Sequence, residues 1–132
     1  MTVECVEFIG LAQRLISLDE SEINSRAAAS RAYYGAFHCC RDLVGKHPQA
    51  IVRAGPSHEQ IYQAVAALPV TAVGAVELKK IVYLTQQIRA IRNDADYEIN
   101  QPFPSKRARQ AISQAGEVHN KHVKFTADYF TQ

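Results

Sequence analysis

The sequence of 132 residues lacks a strong excess of either charge, since 15 lysines and arginines face 13 aspartates and glutamates, a formal net charge of +2. This balance excludes a diffuse polycation, so any affinity for nucleic acid has to come from local clusters of basic residues. Charged residues make up only 21% of the chain and hydrophobic residues 47%, which excludes a disordered tail. Because this length and composition are typical of one globular unit, we predict a single domain over residues 1–132.

Long apolar runs and leader features are also missing. No apolar run approaches the roughly 20 residues that a membrane span needs. Glu4 and Glu7 stand where a secretory signal would have its basic region, so no signal is expected. The three cysteines are an odd number, and the neighbours Cys39 and Cys40 cannot bridge each other without backbone distortion. We therefore predict reduced core thiols in a cytoplasmic protein with no membrane partner.

Proline and glycine are few, and between them the apolar residues recur at helical spacing. Five helices are predicted: approximately 3–18, 22–44, 57–68, a fourth that follows a loop containing Gly74 and ends near Ile99, and a fifth over 105–129. The segment 47–56 is predicted to be a surface loop. Short loops place successive amphipathic helices side by side. The predicted fold class is therefore all-α, an up-and-down antiparallel bundle of about five helices.

The apolar faces and helix starts follow the same patterns. On the first helix the main predicted stripe consists of Phe8, Leu11, Leu15 and Leu18. A second row beside it widens this apolar face and consists of Cys5, Ile9, Ala12 and Ile16. The core stripe of the fourth helix is Ile81, Leu84, Ile88, Ile91 and Ala95. Ser57 with Gln60 is typical of a capping box, and Ser105 is predicted to cap the last helix.

A polar segment in the second helix departs from the pattern of a core face. Arg31, Tyr34 and His38 follow one another at i, i+3 and i+7. This spacing places a guanidinium, a phenol and an imidazole on one helix face, with Arg41 one step further. A buried stripe is not normally built from such side chains.

A second polar segment lies in the fourth helix, where Arg89, Arg92, Asn93 and Asp96 share a face beside the apolar stripe. One interpretation is structural: Arg92 forms an ion pair with Asp96, extended by a hydrogen bond to Tyr34. The other is an anion-binding site, because two arginines exceed one aspartate. The spacing alone leaves both open.

The segments SRAYYGAFH (residues 30–38) and RNDADY (residues 92–97) together resemble the HEPN family, and more narrowly its small stand-alone proteins with an Arg-x-x-Ala-Asp-Tyr motif. The resemblance covers nearly the whole chain. It implies a helical bundle that forms a homodimer, with the motif helices lining a cleft between protomers. It also implies metal-independent ribonuclease activity, often as a toxin, and a small nucleotidyltransferase partner that acts as antitoxin.

The sequence departs from the ribonucleases of that family, which carry Arg, four to six residues and then His. Here Tyr97 stands where that His would be. Cleavage of RNA without metal needs a base for the 2′-hydroxyl proton and a cation at the pentacovalent phosphate. A phenol with a pKa of about 10 is a poor base, and pairing with Arg92 lowers the basicity of Asp96. His38, six residues after Arg31, is the remaining candidate.

Three hypotheses follow. In the first, a HEPN-type toxin or defence protein acts on RNA: Arg92 stabilises the phosphate with help from Arg89, Asp96 orients Arg92, and His38 is the acid or base. Its other candidate anion-binding residues are Arg31, Asn93, Tyr34 and Tyr97. In the second, a non-catalytic HEPN module binds RNA, a nucleotide or a nucleotidyltransferase partner. The third is a structural bundle whose ion pairs serve packing only, so whether the chain is an enzyme stays open.

The last helix carries further polar groups. His119 and His122 are three residues apart, but no third ligand of suitable spacing stands near them, so a structural role is predicted and neither a metal site nor a cofactor is expected. Its basic residues are either a solvated face or a wider channel for an RNA backbone. These are Lys106, Arg107, Arg109, Lys121 and Lys124.

Overall fold

The computed structural model describes residues 3–46 and 57–130, and over these it is all-helical. Its helices are α1 Cys5–Leu18, α2 Glu22–Lys46, α3 His58–Ala66, α4 Ala72–Tyr97 and α5 Ser105–Tyr129. The described residues contain no strand, so the predicted all-α bundle of five helices is confirmed. The predicted loop over 47–56 lies outside the described residues. None of the five helices is both long and apolar enough to cross a membrane.

Helix α2 is the centre of the bundle and contacts each of the other four helices. Successive long helices run antiparallel, whereas α2 and α5 run parallel, since Glu22 contacts Phe103 at one end and Asp42 contacts His122 at the other. Between α2 and α4, the side chain of Arg26 reaches the carbonyl of Ala95, whereas Cys40 lies against Thr85. Between α4 and α5, Asp94 pairs with Arg107, whereas Thr71 contacts Tyr129 at the opposite end. The short α3 packs on α2 and α4.

Helix starts differ from the sequence predictions in two places. The capping box of Ser57 and Gln60 is confirmed, with the Gln60 N–H donating to Ser57 Oγ at 3.3 Å. Ser105 was predicted to cap α5, and this is wrong: Ser105 is the first helical residue and Pro104 occupies the cap position without a side-chain hydrogen bond. Gly74 was predicted in a loop and instead lies inside α4, because Thr71 already caps that helix by accepting from the Gly74 N–H at 3.2 Å.

The buried face of α1 is not the main stripe that the spacing predicted. Leu11 is 36% and Leu18 82% exposed, whereas the second row supplies the buried residues Ile9, Ala12 and Ile16. Close approach explains this choice, because a Cβ on Gly35 of α2 would lie 2.5 Å from Ile9 Cγ1. The stripe of α4 is confirmed except at Leu84, which is only half-buried.

The end of α4 is held by a buried arginine from α2. The Arg26 side chain donates to the carbonyl oxygens of Asp94 and Ala95 (3.2 and 2.8 Å) and of Glu98 and Gln101 (3.2 and 2.6 Å). Arg26 itself is only 7% exposed. The last carbonyls of a helix have no partner within the helix, so a cation placed there satisfies them and suits the helix dipole. Arg26 thereby fixes the last turn of α4 against α2.

Replacing Arg26 tests whether its hydrogen bonds to the end of α4 stabilise the fold. We expect Arg26→Met to lower the free energy of unfolding by about 2–4 kcal/mol, because four carbonyls lose their donor while the aliphatic stem is kept. Urea unfolding followed by circular dichroism measures the change. Arg14→Met, at an exposed position of α1, is the control and should shift the value by no more than about 0.5 kcal/mol. Equal effects of the two changes would contradict the role given to Arg26.

Candidate functional site

Arg92 lies at the centre of the predicted site, on α4 facing α2. Its Nε is 3.0 Å from Asp96 Oδ2, and Nη1 donates to Asn93 Oδ1 at 3.0 Å. Nη2 donates to Tyr34 Oη at 3.5 Å. The ion pair of the structural interpretation and its extension to Tyr34 are therefore confirmed. These contacts fix the guanidinium plane, which a phosphate-binding arginine also needs.

Three phenol rings surround the Arg92 guanidinium. Its central carbon is 5.3 Å from the ring centre of Tyr33 and 5.7 Å from those of Tyr34 and Tyr97. These distances are within the range in which a ring face attracts a cation. Burial alone lowers the pKa of Arg92, but the hydrogen bond to Tyr34 and the charge of Asp96 outweigh it, and the pKa is raised overall. The site therefore keeps a permanent positive charge.

Arg31 is the second guanidinium of the site. It lies over the Tyr34 ring at 4.5 Å and contacts Ser30 Oγ at 3.5 Å, while Ser30 donates to Asp96 Oδ2 at 3.3 Å. Within residues 3–46 and 57–130, no carboxylate forms an ion pair with Arg31 or with Arg41 further along α2. The face of α2 beside Arg92 thus carries positive charge that the described residues do not neutralise.

Arg89 is turned toward α3 rather than toward Arg31. Its Nη1 is 2.9 Å from Glu59 Oε1. The sequence could not show this pairing, because Glu59 lies on a different helix. Of the two arginines predicted to stabilise a phosphate, Arg92 is therefore the one that joins the α2 face, and Arg89 already has a carboxylate partner.

His38 lies on the predicted face of α2, one turn beyond Tyr34. Its ring stacks on Phe8 of α1 at 5.1 Å and is 6.5 Å from the Tyr34 ring, centre to centre. Because Tyr34 contacts both His38 and Arg92, the imidazole is one side chain away from the guanidinium. Burial, together with the charge of Arg41, lowers the pKa of His38 and favours its neutral form.

A second imidazole, His58, belongs to the same region and escaped the sequence analysis. It lies at the start of α3, where its Nδ1 is hydrogen-bonded to the Tyr33 hydroxyl, which in turn is 2.6 Å from the Tyr62 hydroxyl. Burial lowers the pKa of His58, and the charges of Arg89 and Arg92 lower it further. The only sequence signal was its place directly after the cap residue Ser57, and that signal says nothing about contact with α2.

The basic residues of α5 are mostly paired. Arg107 lies 2.9 Å from Asp94, Lys121 3.8 Å from Glu77, and Lys124 3.1 Å from Asp128, and Arg109 pairs with Glu20. These pairs favour the solvated-face interpretation over a wider basic channel. Lys106 is the one member of this set without an ion pair among the described residues, so α5 offers less unneutralised charge than the α2 face.

Comparison with known proteins assigns no family to this chain. No protein-family model matches the chain, and neither a curated protein nor a solved structure matches it. The resemblance to the HEPN family, which rests on the segments 30–38 and 92–97, stays a prediction.

The low pKa of His58 can be tested through Arg92. Removing that cation with Arg92→Gln should move the His58 pKa upward, toward the ordinary value of about 6.5. Titration of the imidazole carbon protons by NMR measures the shift. Arg107→Gln is the control because Arg107 pairs with Asp94 elsewhere on α4, and it should leave the titration unchanged.

The lowered pKa of His58 also determines how protein stability changes with pH. A histidine with a folded-state pKa below its unfolded value contributes its full stability above pH ~6.5, and this is lost as the pH falls from there through the folded pKa. A His58 that titrates at or above 6.5 in the native protein would contradict this assignment.

Proposed function

We propose that this chain is an RNA-directed protein of the HEPN type, and that its site around Arg92 and Arg31 binds the phosphate backbone of single-stranded RNA. The observation that carries the proposal is the charge on one surface. The guanidinium groups of Arg31, Arg41 and Arg92 lie along the face of α2 and the adjoining turn of α4, and Asp96 is the carboxylate paired with Arg92. A focused excess of this kind attracts a polyanion even though the whole chain is nearly neutral.

The two arginines suit different parts of this task. Arg92 is held by Asp96, Asn93 and Tyr34, so its position is preorganised. Arg31 has a ring contact and a long contact with Ser30, so its planar fork of donors is available for a phosphate. Bidentate binding of phosphate by such a fork is the strong mode of arginine recognition.

Tyr97 provides a surface for a base. Its side chain is 67% exposed, and its ring contacts the Arg92 guanidinium. Stacking of a nucleobase on an exposed aromatic ring contributes about 1–3 kcal/mol and tolerates any base. An unpaired base can reach such a ring, whereas a base inside a duplex cannot, which is why the proposal specifies single-stranded RNA.

The proposed partners follow from the resemblance. A two-fold homodimer that joined these faces would place two copies of the arginine cluster in one groove. A nucleotidyltransferase partner would find an accessible phenol in Tyr97. Addition of a nucleotide there would put negative charge beside Arg92 and oppose RNA binding.

Binding should depend on the arginines of this face. With a fluorescent single-stranded RNA of about 20 nucleotides, Arg31→Gln should weaken binding and reduce the slope of log affinity against log salt by about 0.7, the value for one phosphate contact. Fluorescence anisotropy at several salt concentrations measures both. Lys80→Gln is the matched control, because Lys80 lies twelve residues before Arg92 on α4, about 18 Å along the helix. Equal losses in the two variants would contradict a focused site.

Cleavage is the second candidate function, and the two imidazoles favour it. The pKa values of His38 and His58 are both lowered, so both are neutral near pH 7 and able to accept the 2′-hydroxyl proton. Arg92 would then stabilise the charge that develops on the phosphate. Tyr97 in place of the family's histidine argues the other way and supports a binding module.

An RNA cleavage assay in chelator separates these two functions. If the chain is a ribonuclease, wild type cuts the RNA without metal, and Arg92→Ala lowers the rate by at least about 100-fold, the loss typical of one charge-stabilising group. Cleavage that survives Arg92→Ala would overturn that assignment. An inert wild type that gains cleavage with Tyr97→His supports the non-catalytic binder instead. Lys80→Ala, purified in the same way, is the control and should cut the RNA at the wild-type rate.

A further inference from the structure

Two thiols and an imidazole converge where α1, α2 and α5 meet. Cys5 is the first residue of α1, Cys39 lies in α2, and His122 lies in α5. The Sγ atoms of Cys5 and Cys39 are 3.0 Å apart. One ligand atom from each of the three residues lies within 4.8 Å of the others. Residues more than 30 positions apart in sequence therefore bring two sulfur donors and one imidazole nitrogen close together.

His122 gives an independent sign that this point is a ligand site. The residue is only 7% exposed, and its Nε2 is 2.7 Å from Asp42 Oδ2. Its Nδ1 is buried and has no hydrogen-bond partner in the described chain. A buried polar atom without a partner is costly, and a histidine that donates one ring N–H to a carboxylate commonly uses the other nitrogen to bind a metal.

We propose that Cys5 Sγ, Cys39 Sγ and His122 Nδ1 bind a thiophilic metal ion of the Zn²⁺ class, with Asp42 orienting the imidazole. Thiolate and imidazole donors select zinc over magnesium or calcium. Two thiolates neutralise the charge of the dication. The charge of Asp42 is balanced by Lys46 at 2.9 Å. Cys5 is half-buried, so a water molecule can complete a tetrahedral set of four.

The third donor, His122, favours a metal over a disulfide. Zinc with Zn–S bonds of about 2.3 Å holds two tetrahedral sulfurs about 3.7 Å apart, so Cys5 and Cys39 would separate slightly. A disulfide would draw them to about 2.05 Å. It would also leave His122 Nδ1 without a partner, whereas a metal explains all three side chains together.

The experiment uses the full chain, reduced with a phosphine and freed of metal, and titrates it with Zn²⁺ alone. We expect one ion per chain and an increase in Tm of at least about 5 °C. Co²⁺ in place of Zn²⁺ should give thiolate-to-metal absorption bands. Cys5→Ser should weaken Zn²⁺ binding by at least about 100-fold and remove those bands, and Asp42→Asn should weaken it by about 10–100-fold.

The chain supplies matched controls. Cys40 is the neighbour of Cys39 but lies 3.6 Å from Thr85 Oγ1, outside the cluster, so Cys40→Ser should bind Zn²⁺ like wild type. His119→Gln is the control for His122→Gln. Cys5→Ser is the deciding variant, because the first residue of a helix at a half-buried position tolerates serine, and circular dichroism verifies its fold.

Three results would overturn the proposal. The first is Zn²⁺ binding by wild type that is no tighter than binding by Cys5→Ser. The second is an equal loss in Cys40→Ser. The third is a chain that takes up no metal after reduction and on exposure to air loses the two thiol hydrogens of Cys5 and Cys39, which would identify a disulfide pair.

Discussion

The arrangement of the candidate site depends on the hydrogen bonds of the buried Arg26 guanidinium. This guanidinium binds four carbonyls at and beyond the end of α4, between Asp94 and Gln101. The neighbouring Glu22 accepts from the Phe103 N–H at 2.8 Å and so ties the following turn to the start of α2. Asp96 and Tyr97 lie within the segment that this network holds, and Arg92 lies two residues before it. The register between α2 and α4 is thereby set beside the charged face.

The sequence allowed the elements to be predicted, together with contacts inside one helix. The helical period and the Ser57 capping box located the helices, and the four-residue spacing located the pair of Arg92 and Asp96. The face shared by Arg31 and Tyr34 followed from the same geometry. Such predictions succeed because the shape of a single helix determines which of its side chains are neighbours.

Contacts between helices could not be predicted in the same way. Arg26 binds carbonyls about 70 residues further along the chain. His58 is hydrogen-bonded to Tyr33, which lies 25 residues earlier. These contacts depend on how deeply the helices approach each other. The small residue Gly35 determines part of that approach, and it selected the Ile9 side of α1 over the more apolar stripe. Hydrophobicity alone does not carry this information, because a face is chosen by the shape of its partner as well as by its own composition.

The hydrogen-bond chain from Tyr62 through Tyr33 to His58 has a consequence for the smallest helix. Tyr33 and Tyr62 are almost completely buried, and burial raises the pKa of both phenols, so the chain contains neutral hydroxyls. A neutral His58 can accept from Tyr33 at Nδ1, whereas a protonated imidazole can only donate there, so protonation restricts the direction of the chain. Helix α3 has only nine residues and contacts only α2 and α4 among the described helices. Its attachment to the bundle combines the buried side chains of Ile61 and Val65 with this chain, and protonation of His58, which burial opposes, weakens the polar part of that attachment.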